Sequence, residues 1–281
     1  MLDLLDVHTH TIASVHAYST IREMAEAGKR KGLKLLGIAD HTPTMPSCFG
    51  DFYFCNFKVI PREAEKGYGI DIVMGAELNI IDYSGSTDLR GEFLSRLDYA
   101  VASLHDPCIR PGTEEENTAA ILGAMKNPKV KIIGHPDNPK YPVDFDAIAK
   151  AAVENHVLLE LNNSSYMPGG SRKGSRELAG QLMAAAKRHG AMMIVNSDAH
   201  IEFDVGNHAY ALELIEKYGF PEELVINSSP EKFKEFIGAL GQENFICRQE
   251  LGAFVANDAG KQDVDIVTSR LEVVGCCMFF I

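Results

Sequence analysis

The chain has 281 residues, of which 46% are hydrophobic and 23% charged. That apolar share supports a sizeable core and excludes global disorder, and the length suits one α/β barrel or two smaller domains. Asp and Glu outnumber Lys and Arg by 39 to 27, a net charge of −12, and no apolar stretch approaches the ~18 residues of a membrane span.

An acidic surface repels phosphate backbones and anionic lipid, so neither nucleic acid nor a membrane is an expected partner. The stretch Met1-Leu2-Asp3-Leu4-Leu5-Asp6 carries acid where an export signal carries base, so the expected location is the cytoplasm. The six cysteines form no Cys-x-x-Cys pair, which points to reduced thiols rather than a disulfide framework or a thiolate zinc site.

In chain order, apolar runs at 2–7, 33–39, 70–76, 97–104, 130–134, 157–161 and 192–195 read as strands. Amphipathic stretches at 20–31, 116–126, 145–155, 175–189 and 208–217 read as the helices between them. Strands that are apolar almost throughout suit a parallel sheet covered by helices, an α/β fold with right-handed crossovers. Ser19 is the expected N-cap of the first helix, and Gly32 and Gly190 are expected C-caps. The irregular stretch 42–69 holds Phe49, Phe52, Tyr53, Phe54 and Phe57, which suits a lid over a site or an aromatic plug or subunit contact. Beyond Gly241 the periodicity weakens. Residues 1–240 are therefore expected to form the domain, with 241–281 as an appendage packed on it or on a neighbouring subunit. Both apolar features are places where a homo-oligomer would be built.

The candidate ligands concentrate at the ends of these runs. Asp6-Val7 leads to His8-Thr9-His10, Ile38-Ala39 to Asp40-His41, and Gly75-Ala76 to Glu77. Ser103-Leu104 leads to His105, Ile133-Gly134 to His135, and Val195-Asn196-Ser197 to Asp198-Ala199-His200. The C-terminal ends of parallel strands share one face, where sites assemble. In extended chain, residues i and i+2 project to one side, so His8 and His10 point together, as do Asp198 and His200. His16 lies in the loop that follows and can fold over the same mouth. Seven of the ten histidines thus occupy one structural position; His156, His189 and His208 lie in or beside helices and receive no role. Imidazoles gathered this way are costly to leave unpaired, which points to metal. One tetrahedral ion takes four ligands, so nine suit three divalent ions, and imidazole with carboxylate fits Zn²⁺ foremost, with Mn²⁺ or Fe²⁺ compatible.

These motifs, His8-Thr9-His10-Thr11, Ala39-Asp40-His41, Gly75-Ala76-Glu77, Ser103-Leu104-His105, Gly134-His135-Pro136 and Asn196-Ser197-Asp198-Ala199-His200, resemble the PHP (polymerase and histidinol phosphatase) metal-dependent hydrolases. The stretches from Ala13 to Thr20 and Leu161 to Ser165 are similar to its YcdX-type phosphatase branch. The resemblance implies a distorted (β/α)7 TIM-like barrel with a trinuclear site at the strand C-termini. By that resemblance His8, His10, Glu77 and Asp198 hold one ion, and Glu77 bridges to a second on His105 and His135. His16, His41 and His200 hold the third.

Three divalent ions outweigh two carboxylates, so such a pocket attracts a phosphomonoester dianion despite the acidic surface. The expected activity is phosphomonoester hydrolysis by a metal-bound hydroxide, acting on a small phosphorylated substrate. Asp106, beside His105, is the candidate general acid, and Asn163, Arg172 and Lys173 are candidate substrate-binding residues. The alternatives are a phosphodiesterase or exonuclease, a histidinol phosphatase and, last, a metal-binding scaffold without turnover.

Overall fold

Each apolar run folds as a parallel strand, and the amphipathic stretches return the chain to the start of the next. The computed structural model describes residues 2–238. In order these form β1 (Leu5–Asp6), α1 (Ile21–Lys31), β2 (Leu35–Ile38), β3 (Asp71–Met74), β4 (Glu77–Asn79), α2 (Gly91–Leu94), β5 (Ala100–Ser103) and α3 (Glu114–Ala124). There follow β6 (Val130–Ile133), α4 (Phe145–Asn155), β7 (Leu158–Asn162), α5 (Asn163–Tyr166), α6 (Ser175–His189), β8 (Met193–Asn196), α7 (Ala209–Tyr218) and α8 (Pro230–Phe236). The short helices α2, α5 and α8 lack the length for a period to register in the sequence. The expected appendage at 241–281 lies outside the described residues.

β1, β2 and β3 form one parallel sheet, and β4 to β8 a second, each in sequence order. The run expected at 70–76 supplies β3 alone, and β4 begins just beyond its end. Asp71–Met74 pairs with β2, and after Gly75-Ala76 the chain crosses so that Glu77–Asn79 pairs with β5. Single parallel bridges, Thr9 to Ala199 and His41 to Glu77, add pairings outside the ladders of these sheets. Glycine is required at the crossing because a Cβ on residue 75 would lie 2.6 Å from Cζ of Tyr99. Tyr99 is fully buried, and its hydroxyl donates to the Val7 carbonyl.

Alternation along the strands divides the apolar side chains between two cores. Leu5, Leu35, Val73, Val101, Ile132, Leu158 and Ile194 gather with Tyr99 and with Phe233 of α8. Leu36, Ile72, Ala100, Ile133, Leu159 and Val195 pack instead with the helix residues Met24, Ile121, Ile148 and Leu182. Each buried Leu or Ile contributes about 1.5–3 kcal/mol relative to exposure.

The helix ends follow local chemistry. Thr20, rather than Ser19, caps α1: its Oγ1 accepts from the Glu23 N–H, and the Glu23 carboxylate accepts from the Thr20 N–H. Ser19 in that role would put Arg22 at the reciprocal position, where a carboxylate is needed. Its hydroxyl donates to Glu202 instead. α3 starts two residues before the expected 116 because Thr113 and Glu116 form the same reciprocal cap. Gly32 and Gly190 end α1 and α6 at φ of 87° and 73°, as expected. The aromatic stretch contains a 3-10 run at Asp51–Val59 that buries Phe54 and Phe57 and leaves Phe49 and Phe52 exposed. Among the described residues no helix is long and apolar enough to cross a membrane, and Cys48, Cys55 and Cys108 are free thiols.

Candidate metal centre

The chain beyond the strand C-termini brings together the residues singled out in the sequence. Glu77, the first residue of β4, stands at their centre. Its Oε1 lies 3.3 Å from His8 Nε2, 3.2 Å from His105 Nε2 and 3.2 Å from His135 Nε2. Its Oε2 lies 2.9 Å from His41 Nδ1 and 3.6 Å from His10 Nε2. Asp198 Oδ1 lies 3.2 Å from His10 Nε2 and 3.8 Å from His8 Nε2. His16 closes the group from its loop, its ring 5.0 Å from that of His41 and 4.8 Å from that of His200.

Most of these imidazoles are held from behind. Nδ1 of His8 meets Glu160 Oε1 at 2.7 Å, and Nδ1 of His10 meets Ser14 Oγ at 3.0 Å. Nδ1 of His105 meets Asn79 Oδ1 at 2.8 Å, and Nδ1 of His200 meets the Asp198 carbonyl at 3.0 Å. Such contacts fix ring orientation and leave Nε2 as the outward nitrogen. Ser103 Oγ donates to Glu77 Oε1 at 2.7 Å. The sequence reading assigned no role to Glu160, Asn79 or Ser14. Only Glu160 carries a readable signal, an acid inside the apolar run Val157-Leu158-Leu159-Glu160-Leu161.

The electrostatics follow from burial and charge together. Burial alone would raise the pKa of Glu77, but the imidazoles of His105, His8 and His41 hold it well below the usual carboxylate range. Asp198 is likewise held low against its burial, by His8, His10 and Arg172. Burial and then the nearby rings of His200 and His41 depress His10 far below an ordinary histidine. Burial and the Arg172 guanidinium bring His135 down to about 4. His8 is raised, against burial, by Glu160, Glu77 and Asp198.

The group passes a test of fit for divalent cations. Nε2 of His8, Nε2 of His10 and Nδ1 of His41 are buried and make no aligned hydrogen bond, although carboxylate oxygens stand 2.9–3.3 Å away, an arrangement that suits a shared cation. Three overlapping triads have ligand atoms within 4.8 Å of one another: His8, His10 and Asp198; His10, His41 and His200; and His41, Glu77 and His105. Nitrogen and carboxylate oxygen without sulfur is a donor set for borderline divalent ions.

A cavity of about 520 Å³ opens beside His105, lined among others by Asp106, Lys140, Arg172 and Lys173. Asp106 pairs with Lys140 at 2.5 Å. Arg172 Nη1 donates to Ser165 Oγ and to Asp198 Oδ2, both at 3.2 Å. Asn163 lies outside this cavity, in a smaller hollow with Asp198 and His200. Its Oδ1 accepts from the N–H groups of Tyr210 and Ala211 at the start of α7, so the carboxamide oxygen serves the helix.

Comparison with known proteins accords with this arrangement. The sequence pattern of the PHP domain matches residues 6–164. A protein of Clostridium novyi named Probable phosphatase is 44% identical over 239 residues, covering 85% of this chain and 96% of its own. Another of that name, from Caldanaerobacter subterraneus subsp. tengcongensis, is 47% identical over 235 residues, covering 83% of this chain and 91% of its own. The fold is similar to a crystal structure of histidinol phosphate phosphatase from Lactococcus lactis subsp. lactis, complexed with zinc, L-histidinol and phosphate. That match has a TM-score of 0.56 at 20% identity and covers 79% of this chain and 95% of that one.

Proposed function

Because the chain belongs to the PHP domain family, we propose that it is a metal-dependent phosphatase of small phosphomonoesters with a trinuclear site. The observation that carries this reading is the set of imidazoles anchored at Nδ1 around Glu77 and Asp198, with three buried ring nitrogens turned on those carboxylates without an aligned hydrogen bond. Relatives named phosphatases, aligned over nearly their whole length, support the same reading.

His8, His10, Glu77 and Asp198 would hold the first ion, Glu77, His105 and His135 the second, and His16, His41 and His200 the third. Bound divalent ions supply Lewis acidity, an acidified water and the positive charge that a phosphate dianion requires. Glu160, Ser14 and Asn79 keep the rings in register, and Ser103 holds the Glu77 carboxylate. Arg172 steadies Asp198 through Nη1, and among the described residues its Nε and Nη2 make no hydrogen bond, leaving them for phosphate oxygens. Asp106 is the acidic side chain among those lining the cleft, and the reading assigns it the proton for the leaving group.

The same reading closes the seven runs into a distorted (β/α)7 barrel. The Thr9–Ala199 and His41–Glu77 bridges support closure, as does an inner core drawn from every run. A closed ring would bring all the strand ends to one mouth.

The test pairs metal analysis of the untreated protein with phosphate release from p-nitrophenyl phosphate and a panel of monoesters, with bis(p-nitrophenyl) phosphate as the diester. Bound divalent metal, together with monoester turnover abolished by chelation and restored by metal, is expected. Metal-replete protein that releases phosphate from no monoester, or that cleaves the diester faster, overturns the reading.

A further inference from the structure

The cleft beside His105 has a charge opposite to that of the chain as a whole. Lys140, Arg172 and Lys173 line it against the single carboxylate of Asp106, in a protein of net charge −12. Arg172 is shared with Asp198, and Lys140 with Asp106. Lys173 has no ion-pair partner among the described residues. Cations gathered on one wall repel one another and raise the local concentration of anions.

The scissile phosphate accounts for Arg172 but not for the two lysines. In the reading above it is met by the imidazole cluster and Arg172, with Asp106 serving the leaving group, whereas Lys140 and Lys173 line the cleft with no part in either. The cavity of about 520 Å³ exceeds what one phosphate fills and lies within the range of whole small-ligand sites, roughly 300–1,000 Å³. Met45, Leu104 and Tyr141 give it apolar surface suited to a short carbon skeleton.

We propose that this cleft selects phosphomonoesters that carry a second anionic group, a carboxylate or a further phosphate, a short carbon skeleton away from the scissile one. Lys140 and Lys173 are the groups that meet it. Ammonium is a compact point charge without the directional fork of guanidinium, so it accepts either anion. The inference rests on the phosphatase reading and adds the substrate class.

The experiment compares matched esters on the full-length, metal-containing protein. Glycerol 3-phosphate against 3-phosphoglycerate isolates a carboxylate, and fructose 6-phosphate against fructose 1,6-bisphosphate isolates a second phosphate. For at least one pair, kcat/KM is expected to favour the doubly anionic ester by about tenfold, the scale of one charge-assisted contact. In Lys140→Gln/Lys173→Gln that ratio is expected to collapse towards one. Both lysines are exposed, so the substitutions leave the core untouched. Absence of preference in both pairs, or a preference that survives loss of both lysines, overturns the inference. Calorimetric binding of the same pairs judges the cleft without turnover. If no ester is hydrolysed the phosphatase reading fails, while equal affinities within each pair sink the cleft's selectivity separately.

Discussion

His8 Nδ1 meets Glu160 Oε1 at 2.7 Å, with both side chains fully sealed from solvent. The carboxylate also accepts from Asn196 Nδ2 on the same oxygen, and from the His135 N–H and Asn162 Nδ2 on the other. Glu160→Gln keeps the shape but turns an NH2 towards groups that already donate. Metal affinity and phosphate release are expected to fall 10–100-fold, as for other partners that orient metal-binding histidines. Metal titration and initial rates check this; a variant matching the wild type in both would show the contact to be incidental.

Removal of metal is expected to cost stability as well as activity. Ions bound only by the folded chain add RT ln(1 + [L]/Kd), about 2.7 kcal/mol at a hundredfold excess over Kd. For a domain of this size chelation then lowers Tm by about 5–10 °C. Glu77→Ala removes the carboxylate that faces five imidazoles. Its melting curve is expected to be nearly indifferent to chelator. Scanning calorimetry with and without dipicolinate decides; an unchanged wild-type Tm would contradict the metal reading.

His208 supplies a pH dependence away from the cluster. Its Nδ1 lies 2.7 Å from Asp3 Oδ2 and its Nε2 3.6 Å from Asp6 Oδ2. Burial pulls its pKa down, but hydrogen bonding and attraction to Asp3 and Asp6 prevail and raise it from 6.5 to about 9. A raised folded-state pKa stabilises fully below the unfolded value and is lost as pH climbs through the folded one. The protein is therefore expected to lose up to about 3 kcal/mol between pH 6.5 and pH 9, at 1.36 kcal/mol per unit. Urea unfolding of wild type and His208→Gln across that window isolates the effect; parallel pH profiles would refute it.

Gly75→Ala tests the crossing between the sheets. The added methyl would press on the Tyr99 ring 2.6 Å away, inside a core that cannot open. Overpacking of this kind costs about 1–3 kcal/mol. Adding Tyr99→Leu should recover part of that loss beyond additivity, because the two sites touch. Purely additive urea-unfolding energies would mean that the ring does not set the requirement for glycine.

Much of the centre was legible along the chain, because in parallel α/β proteins a residue just past a strand's end faces the common mouth wherever the strand lies. The apolar runs ending at His8, His41, Glu77, His105, His135 and Asp198 therefore located the group without any distance being known. The Gly32 and Gly190 caps were readable for a similar reason, since they depend on local backbone chemistry alone.

Other features depended on contacts between segments far apart in sequence. Periodicity marks which face of a strand is apolar, but it is blind to which atom meets which across a gap of 152 residues, as between His8 and Glu160. Tyr99 packs against residue 75 where the chain crosses from one sheet to the other, and the start of α7 claimed the Asn163 oxygen. Sequence alone determined the kinds of side chain that gather and the common end at which they stand. The tertiary structure alone decided their partners, through side chains that only the folded backbone brings within hydrogen-bonding reach.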